Sequence, residues 1–279
     1  MKIGFIGAGK AGFSLGKYFS ANGMDISGYF SRSESSAREA AAFTGSEFFN
    51  DADKLVAASD VIFLTVPDSA VKDTFLSLQK ESLFGRQLCH CSGAMSAEEA
   101  FPGIAGCGAA GTSVHPLFPI SSRTESYREL KNAFFCIEGD KAEEWKELLS
   151  GLGNPVRIID SNIKSRYHAA CSAASNLVCG LIEESLELLI QCGFSAEEAL
   201  SALEPLAMSN IKRIFSVGPA AALTGPVERN DAATVRKHIS CIDGSINKEL
   251  YISVSRKLTE MAEKRHPQSD YTEMKDILR

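Results

Sequence analysis

The sequence predicts an α/β unit with a doubly wound, mostly parallel sheet, followed by an all-α unit. Three observations predict it. Up to residue 160, short apolar runs alternate with helical stretches, the pattern of a parallel sheet with helices on both faces. A glycine-rich turn at Gly7–Gly12 joins the first run to the first helical stretch. Beyond residue 160 the spacing is helical throughout. The expected domains are therefore 1–160 and 161–279.

Each element has its own signal. Lys2–Gly7 reads as a strand and Lys10–Asn22 as a helix. Asp25–Phe30 is a second strand and Ser36–Thr44 a second helix. Asp60–Val66 is a strand bounded by Pro67, and Gln87–Cys91 is another. Thr112–His115 ends a further strand, with His115 held by Pro116. Phe134–Glu138 and Val156–Asp160 close the series around the helix Glu143–Leu149. Tyr167–Gln191 is proline-free and apolar nearly all round. As one helix it spans about 37 Å at 1.5 Å per residue, and burial on most sides is expected. Ser195 and Glu198 have capping-box spacing at the start of the next helix. Pro205 is expected to kink or interrupt it. Gly218-Pro219 and Gly225-Pro226 mark loops, and Asp231–Ile242 and Ile246–Arg265 read as the last helices.

Charge and length exclude several classes of function. Lys and Arg number 29 against 35 Asp and Glu, for a net charge of −6 without a basic run. Such a chain is a poor match for nucleic acid. No apolar stretch reaches the ~18 residues of a membrane span. Lys2-Ile3-Gly4-Phe5-Ile6 enters a strand directly and lacks the pattern of a signal peptide, so the chain reads as cytoplasmic. The eight cysteines fit neither zinc spacing nor a disulfide framework. Cys89-His90-Cys91 resembles a ligand cluster, but strand alternation sends the sulfurs to one face and the imidazole to the other. Reduced thiols and no metal are expected.

Gly7-Ala8-Gly9-Lys10-Ala11-Gly12 has the form G-x-G-x-x-G, after a strand and opening a helix. Gly7 allows the tight turn, Gly9 a close backbone approach to a pyrophosphate, and Gly12 close packing of helix on strand. The helix N-terminus offers N–H groups to the anion. Dinucleotide binders specific for NAD place Asp or Glu after the second strand. Here Ser31, Arg32 and Ser33 stand there, a set suited to a 2′-phosphate, so NADP is favoured. The alternative is a surface Arg in a Ser-rich turn. Val66, Pro67 and Asp68 follow the next strand and are expected along the cofactor.

Several segments together carry a family resemblance. GFIGAGKAG, FLTVPDSAV, HCSGAMS, SVHPLFP, YHAACSAASN and LTGPVERND span most of the chain. The chain resembles the Rossmann-like proteins that carry the domain of unknown function DUF2520. These are similar in fold to pyrroline-5-carboxylate reductase, prephenate dehydrogenase and the 6-phosphogluconate dehydrogenase superfamily, including the latter's helical C-terminal domain. The resemblance implies a Rossmann domain, NADP-dependent oxidoreduction and a homodimer. It brings no substrate with it.

Four residues are candidates for moving a proton, with two more for holding substrate. Prephenate dehydrogenase places a serine and a His-Pro pair at points similar to Ser92 and His115, which suggests an acid/base and a polar partner. The alternatives are a core imidazole and a turn serine. His168, Ser172 and Asn176 are spaced i, i+4, i+8 along one helical stripe and need partners. In the related hydroxyacid dehydrogenases a Lys precedes the Asn by four residues. Ser172 stands in that place, and His168 could substitute as proton donor, with Ser172 left to contact substrate. Arg229, in the rigid corner Gly225–Asp231, can bind a carboxylate unless Glu228 or Asp231 takes it. The reading is hydride transfer between NADP and a C=O or C=N bond of a small metabolite. The alternatives are a non-catalytic NADP sensor or docking protein, and an enzyme using a deazaflavin donor.

Overall fold

Eight strands form one sheet in the computed structural model, which describes residues 1–279. The strands are β1 (Lys2–Ile6), β2 (Asp25–Phe30), β3 (Glu47–Phe48), β4 (Val61–Leu64), β5 (Gln87–His90), β6 (Ala110–Leu117), β7 (Phe134–Gly139) and β8 (Val156–Ile158). Their order is β3-β2-β1-β4-β5-β6-β7-β8. β7 runs antiparallel to β6, and every other pair is parallel. The doubly wound, mostly parallel sheet is thus present. β4 is buried along its whole length, as a central strand covered on both faces must be.

The helices of this part are α1 (Lys10–Ala21), α2 (Glu34–Thr44), α3 (Ala52–Ala57), α4 (Asp68–Ser77), α5 (Ala97–Ala100), α6 (Ala142–Gly151) and α7 (Lys164–Ala174). One sheet face packs Phe5, Phe19 and Phe63 against Trp145 of α6. The other packs Leu64 and Leu88 against Leu55, Phe75 and Phe101. Cys89 lies in the first core and His90 meets the Phe101 ring on the opposite face, as strand alternation requires.

The chain divides into two units, Met1–Ser172 and Ala173–Arg279. The division falls after Ser172 rather than after residue 160. Residues 161–172 pack with the sheet because Lys164 is buried there and donates to Ser92 and Ser113.

The second unit is helical: α8 (Asn176–Gln191), α9 (Ala196–Val217), α10 (Pro219–Ala222), α11 (Ala232–Cys241), α12 (Ser245–Arg265) and α13 (Thr272–Ile277). The expected single helix Tyr167–Gln191 is instead broken at Ser175, whose φ of −125° and ψ of −77° leave the helical range. Its hydroxyl donates to Asn176 Oδ1, a local bond that competes with the helix ladder. Burial on most sides is also not met within one chain, since only Glu184 of α8 is buried. The Ser195–Glu198 capping box is formed. α9 runs on through Pro205, which removes one ladder bond without ending the helix. Pro219 starts α10 at a position where its missing N–H is harmless, so that segment is a helix turn rather than a loop. Val227, Val235, Tyr271 and Met274 form the core of this unit. No helix is long and apolar enough to cross a membrane.

Candidate active site

The glycine turn is built as its spacing implies. Gly7 has φ +114°, and a Cβ there would lie 2.7 Å from the Thr65 backbone. A Cβ on Gly12 would collide with the Gly7 carbonyl, so only glycine lets α1 close onto β1. Gly9 faces open space, with nothing within 4 Å of its Cβ position. Lys10 and Ala11 open α1, which has no side-chain cap and no acidic residue in its first turn. The first-turn N–H groups therefore point at an anion's place. Gly7, Ala8, Gly9, Ser31, Arg32, Val66 and Pro67 line a cleft of about 470 Å³ here. This donor-rich cradle fits a dinucleotide. Ser33 is engaged elsewhere, since its hydroxyl caps α2 by accepting from Ser36 N at 3.3 Å. Sequence reasoning missed Arg123, which lies 4.0 Å over the Phe13 ring and donates to the Ala8 carbonyl at 3.3 Å. It braces the turn from the loop after β6.

Past the end of β5, along the continuing β6, lies a second cluster. β5 stops at His90, paired with Ser113, while β6 continues to Leu117 against β7 alone. The strand therefore does not end at His115. Pro116 is tolerated because no β5 residue faces it there. His115 stands on this overhang, and its Nδ1 is 2.6 Å from the Tyr167 hydroxyl. The His168 ring lies 6.2 Å from it at 75°. Gly93 sits beneath both rings: a Cβ there would be 2.5 Å from His168 Cδ2 and 2.9 Å from His115 Nε2. Burial, with Lys164 and then His168 nearby, pushes the His115 imidazole down to about 4, so it is neutral near pH 7. Burial and the neighbouring Cys136 push the Tyr167 phenol up, so it keeps its proton.

Ser92 is a clamp in the turn. Its hydroxyl donates to Asp68 Oδ2 at 2.5 Å and accepts from the Met95 and Ala94 amides. Asp68 opens α4, so this bond joins the segment after β4 to the turn beneath His115. Lys164, which sequence reasoning also missed, lies behind this turn. A signal for it exists: Lys164, Tyr167 and His168 stand at i, i+3, i+4 and share one face of α7.

Comparisons place this geometry among known proteins. Residues 133–258 match the domain of unknown function DUF2520, and residues 2–88 match the family described as NADP oxidoreductase, coenzyme F420-dependent. The first part of the chain is thus similar to NADP oxidoreductases and the second to the DUF2520 domain. A structure of a Thermotoga maritima protein is 27% identical, with a TM-score of 0.73, covering 95% of this chain and 99% of that one. A Bacteroides fragilis protein described as an NADP oxidoreductase is 24% identical, with a TM-score of 0.70 over 93% and 98% of the two chains. A reductive aminase from Aspergillus terreus, in complex with NADPH and ethyl levulinate, shares the fold at 15% identity, a TM-score of 0.68 and 100% and 99% coverage. No curated protein matches the chain.

The remaining candidates of the oxidoreductase divide between the two units. Ser172 is the last residue of the first unit, while Asn176 and Arg229 belong to the second. The break at Ser175 means that His168, Ser172 and Asn176 do not share one unbroken helix. Arg229 is exposed, and the carboxylate beside it is taken: Glu228 accepts from His266 at 2.9 Å and lies 3.5 Å from Arg265. Asp231 instead caps α11 through Thr234. The Arg229 guanidinium is thus left out of the ion pairs of this corner.

Proposed function

We propose that this oxidoreductase transfers hydride between NADP and a C=O or C=N bond of a small metabolite, with His115 as the acid/base. The observation that carries the reading is the neutral His115 ring, bonded to Tyr167 and set over the bare Gly93 on the overhang of β6. When bound, NADPH supplies the hydride. Gly7–Gly12 hold its pyrophosphate, Ser31 and Arg32 its 2′-phosphate, and Val66, Pro67 and Asp68 lie along it. Tyr167 donates to His115 Nδ1, which leaves the proton on Nε2. Nε2–H then bonds the substrate heteroatom, draws electron density from its carbon, and hands over the proton as that carbon is reduced. The ring regains a proton from water. Ser92 holds the turn beneath, and His168 closes the other side. Ser172 is assigned to the substrate. The test is NADPH consumption against a panel of aldehydes, ketones, oxo acids and cyclic imines. If NADPH binds tightly and no member is reduced, the reading gives way to the NADP sensor. Consumption only with a reduced deazaflavin would favour that donor instead.

Arg32 is the residue that separates the two nicotinamide cofactors. A charge-assisted hydrogen bond contributes about 1.5–3 kcal/mol. Arg32→Ala is therefore expected to weaken NADPH roughly tenfold or more and to leave NADH nearly unchanged, measured by fluorescence titration. Equal loss for both cofactors would show that Arg32 does not read the phosphate.

The apolar helices of the second unit support assembly into a homodimer. Leu206 is 69% exposed and Phe215 85% exposed in the single chain. Leu177 and Leu200 are also uncovered, apolar side chains of the kind that a second copy would cover. Light scattering is expected to give the mass of two chains. A single-chain mass that persists at all concentrations overturns the assignment.

A further inference from the structure

Lys164 is a lysine without access to water, at 2% side-chain exposure. Its ammonium donates to Ser113 Oγ at 2.5 Å and to the Ser92 carbonyl at 3.3 Å. Glu138 Oε2 is 3.9 Å away, and that carboxylate also accepts from the Ala97 amide at 2.9 Å. One cation therefore joins the turn after β5, the strand β6 and the strand β7. Ser113 adds its own bond to the Ser92 carbonyl. The same turn is fixed from its other atoms, by Ser92 Oγ on Asp68 and Ser92 N on His90 Nδ1. Its next residue is Gly93, on which the His115 and His168 rings rest. A buried ion pair is a weak source of stability and leaves a strong field around it.

We propose that Lys164 is a positioning residue for proton transfer at His115: its sealed ammonium fixes the Ser92–Gly93 turn under the two imidazoles and imposes a positive field on them. The inference rests on the acid/base reading of His115. Lys164 cannot itself touch substrate, because its bonds are inside the protein and it is sealed from solvent. Its work is done through others. The titratable groups around His115 are Tyr167, His168 and Lys164 from α7, His90 from β5, and Cys136, the residue paired with His115, on β7. Asp68 of α4 reaches the turn through Ser92, and Glu138 of β7 reaches it through Lys164. Among them Lys164 is the cationic partner: burial lowers its proton affinity, and the Glu138 carboxylate opposes that loss. It opposes a second positive charge on His115 and so keeps the ring neutral, with Nδ1 able to accept from Tyr167.

The test follows the His115 ring directly, by NMR titration of isotope-labelled histidine in wild type, Lys164→Met and Lys164→Arg. Lys164→Met is expected to raise the titration midpoint of His115 by about one pH unit, a tenfold gain in proton affinity. Lys164→Arg keeps the charge and is expected to stay within a few tenths of wild type. NADPH affinity is expected to be unchanged in both. Lys164→Met alone strands Glu138, so the K164M/E138Q double variant, which removes both members of the pair, is read if the single variant fails to fold. A midpoint that does not move in the folded variant overturns the proposal. With a reduced substrate in hand, the acid limb of the kcat/KM profile must move with the midpoint, and a limb that stays in place also overturns it. The titration needs no substrate. Failure of the acid/base reading would show instead as wild-type turnover insensitive to His115, whatever the midpoint does.

Discussion

His115→Asn is expected to lower kcat by about 10²–10⁴-fold, the contribution of a positioned general acid or base. NADPH affinity and melting temperature are expected to hold. Asn keeps a polar side chain of nearly the same length on the overhang of β6, so the bond toward Tyr167 can be partly replaced. It cannot polarise the substrate by handing over a proton. The cofactor cradle is built on β1, β2 and β4, whereas His115 belongs to β6, so the cofactor contacts are left intact. His168→Asn is the matched control. His168 meets the His115 ring edge-on across Gly93 but has no bond to Tyr167 in this arrangement. Turnover lost only with His168 would move the acid/base role to α7. With an identified substrate, no effect from either change would make both histidines structural and end the mechanism proposed above.

Trp145→Ala is expected to destabilise the first unit by about 3–5 kcal/mol, the usual range for a buried Trp or Phe truncated to Ala. Trp145 is 1% exposed and is the largest fully buried side chain of the chain. Its ring meets Phe63 edge-on at 5.2 Å and Phe19 at 6.0 Å. Phe63 in turn stacks on Phe5 at 5.4 Å, so the ring ties α6 to the middle of the sheet. Removing it leaves a cavity that stiff aromatic neighbours on a sheet cannot collapse to fill. A loss of this size corresponds to a fall in melting temperature of roughly ten degrees for a unit of this length. Calorimetry on the purified variant checks it, and an unchanged transition would mean that the core relaxes around the gap.

Local chemistry made much of the fold legible. Gly7, Gly9 and Gly12 were readable because each demand is local: a positive φ, a bare approach and a close carbonyl. The cap at Ser195 was readable because its partner Glu198 is three residues away. Alternating apolar runs gave the parallel sheet, since a strand buried on both faces must be apolar at every position. The break at Ser175 was not readable, because a single serine inside an apolar stretch satisfies the helix pattern equally well. Nor was the overhang of His115, which depends on β5 ending earlier than β6.

The cofactor half is written in the chain itself: a strand, a glycine turn and a helix, then Arg32 where NAD binders carry an acid. The strand, turn and helix are contiguous and Arg32 follows the very next strand, so their geometry is set by local backbone sterics. The proposed catalytic half exists only once the sheet has assembled. His115 and Tyr167 are 52 positions apart, and Lys164 and Ser92 are 72. A lysine at the first position of a helix looks like a solvated surface charge in sequence. It is buried here because the ends of β5, β6 and β7 converge on it, and strand register over such separations is fixed by the packing of the whole sheet.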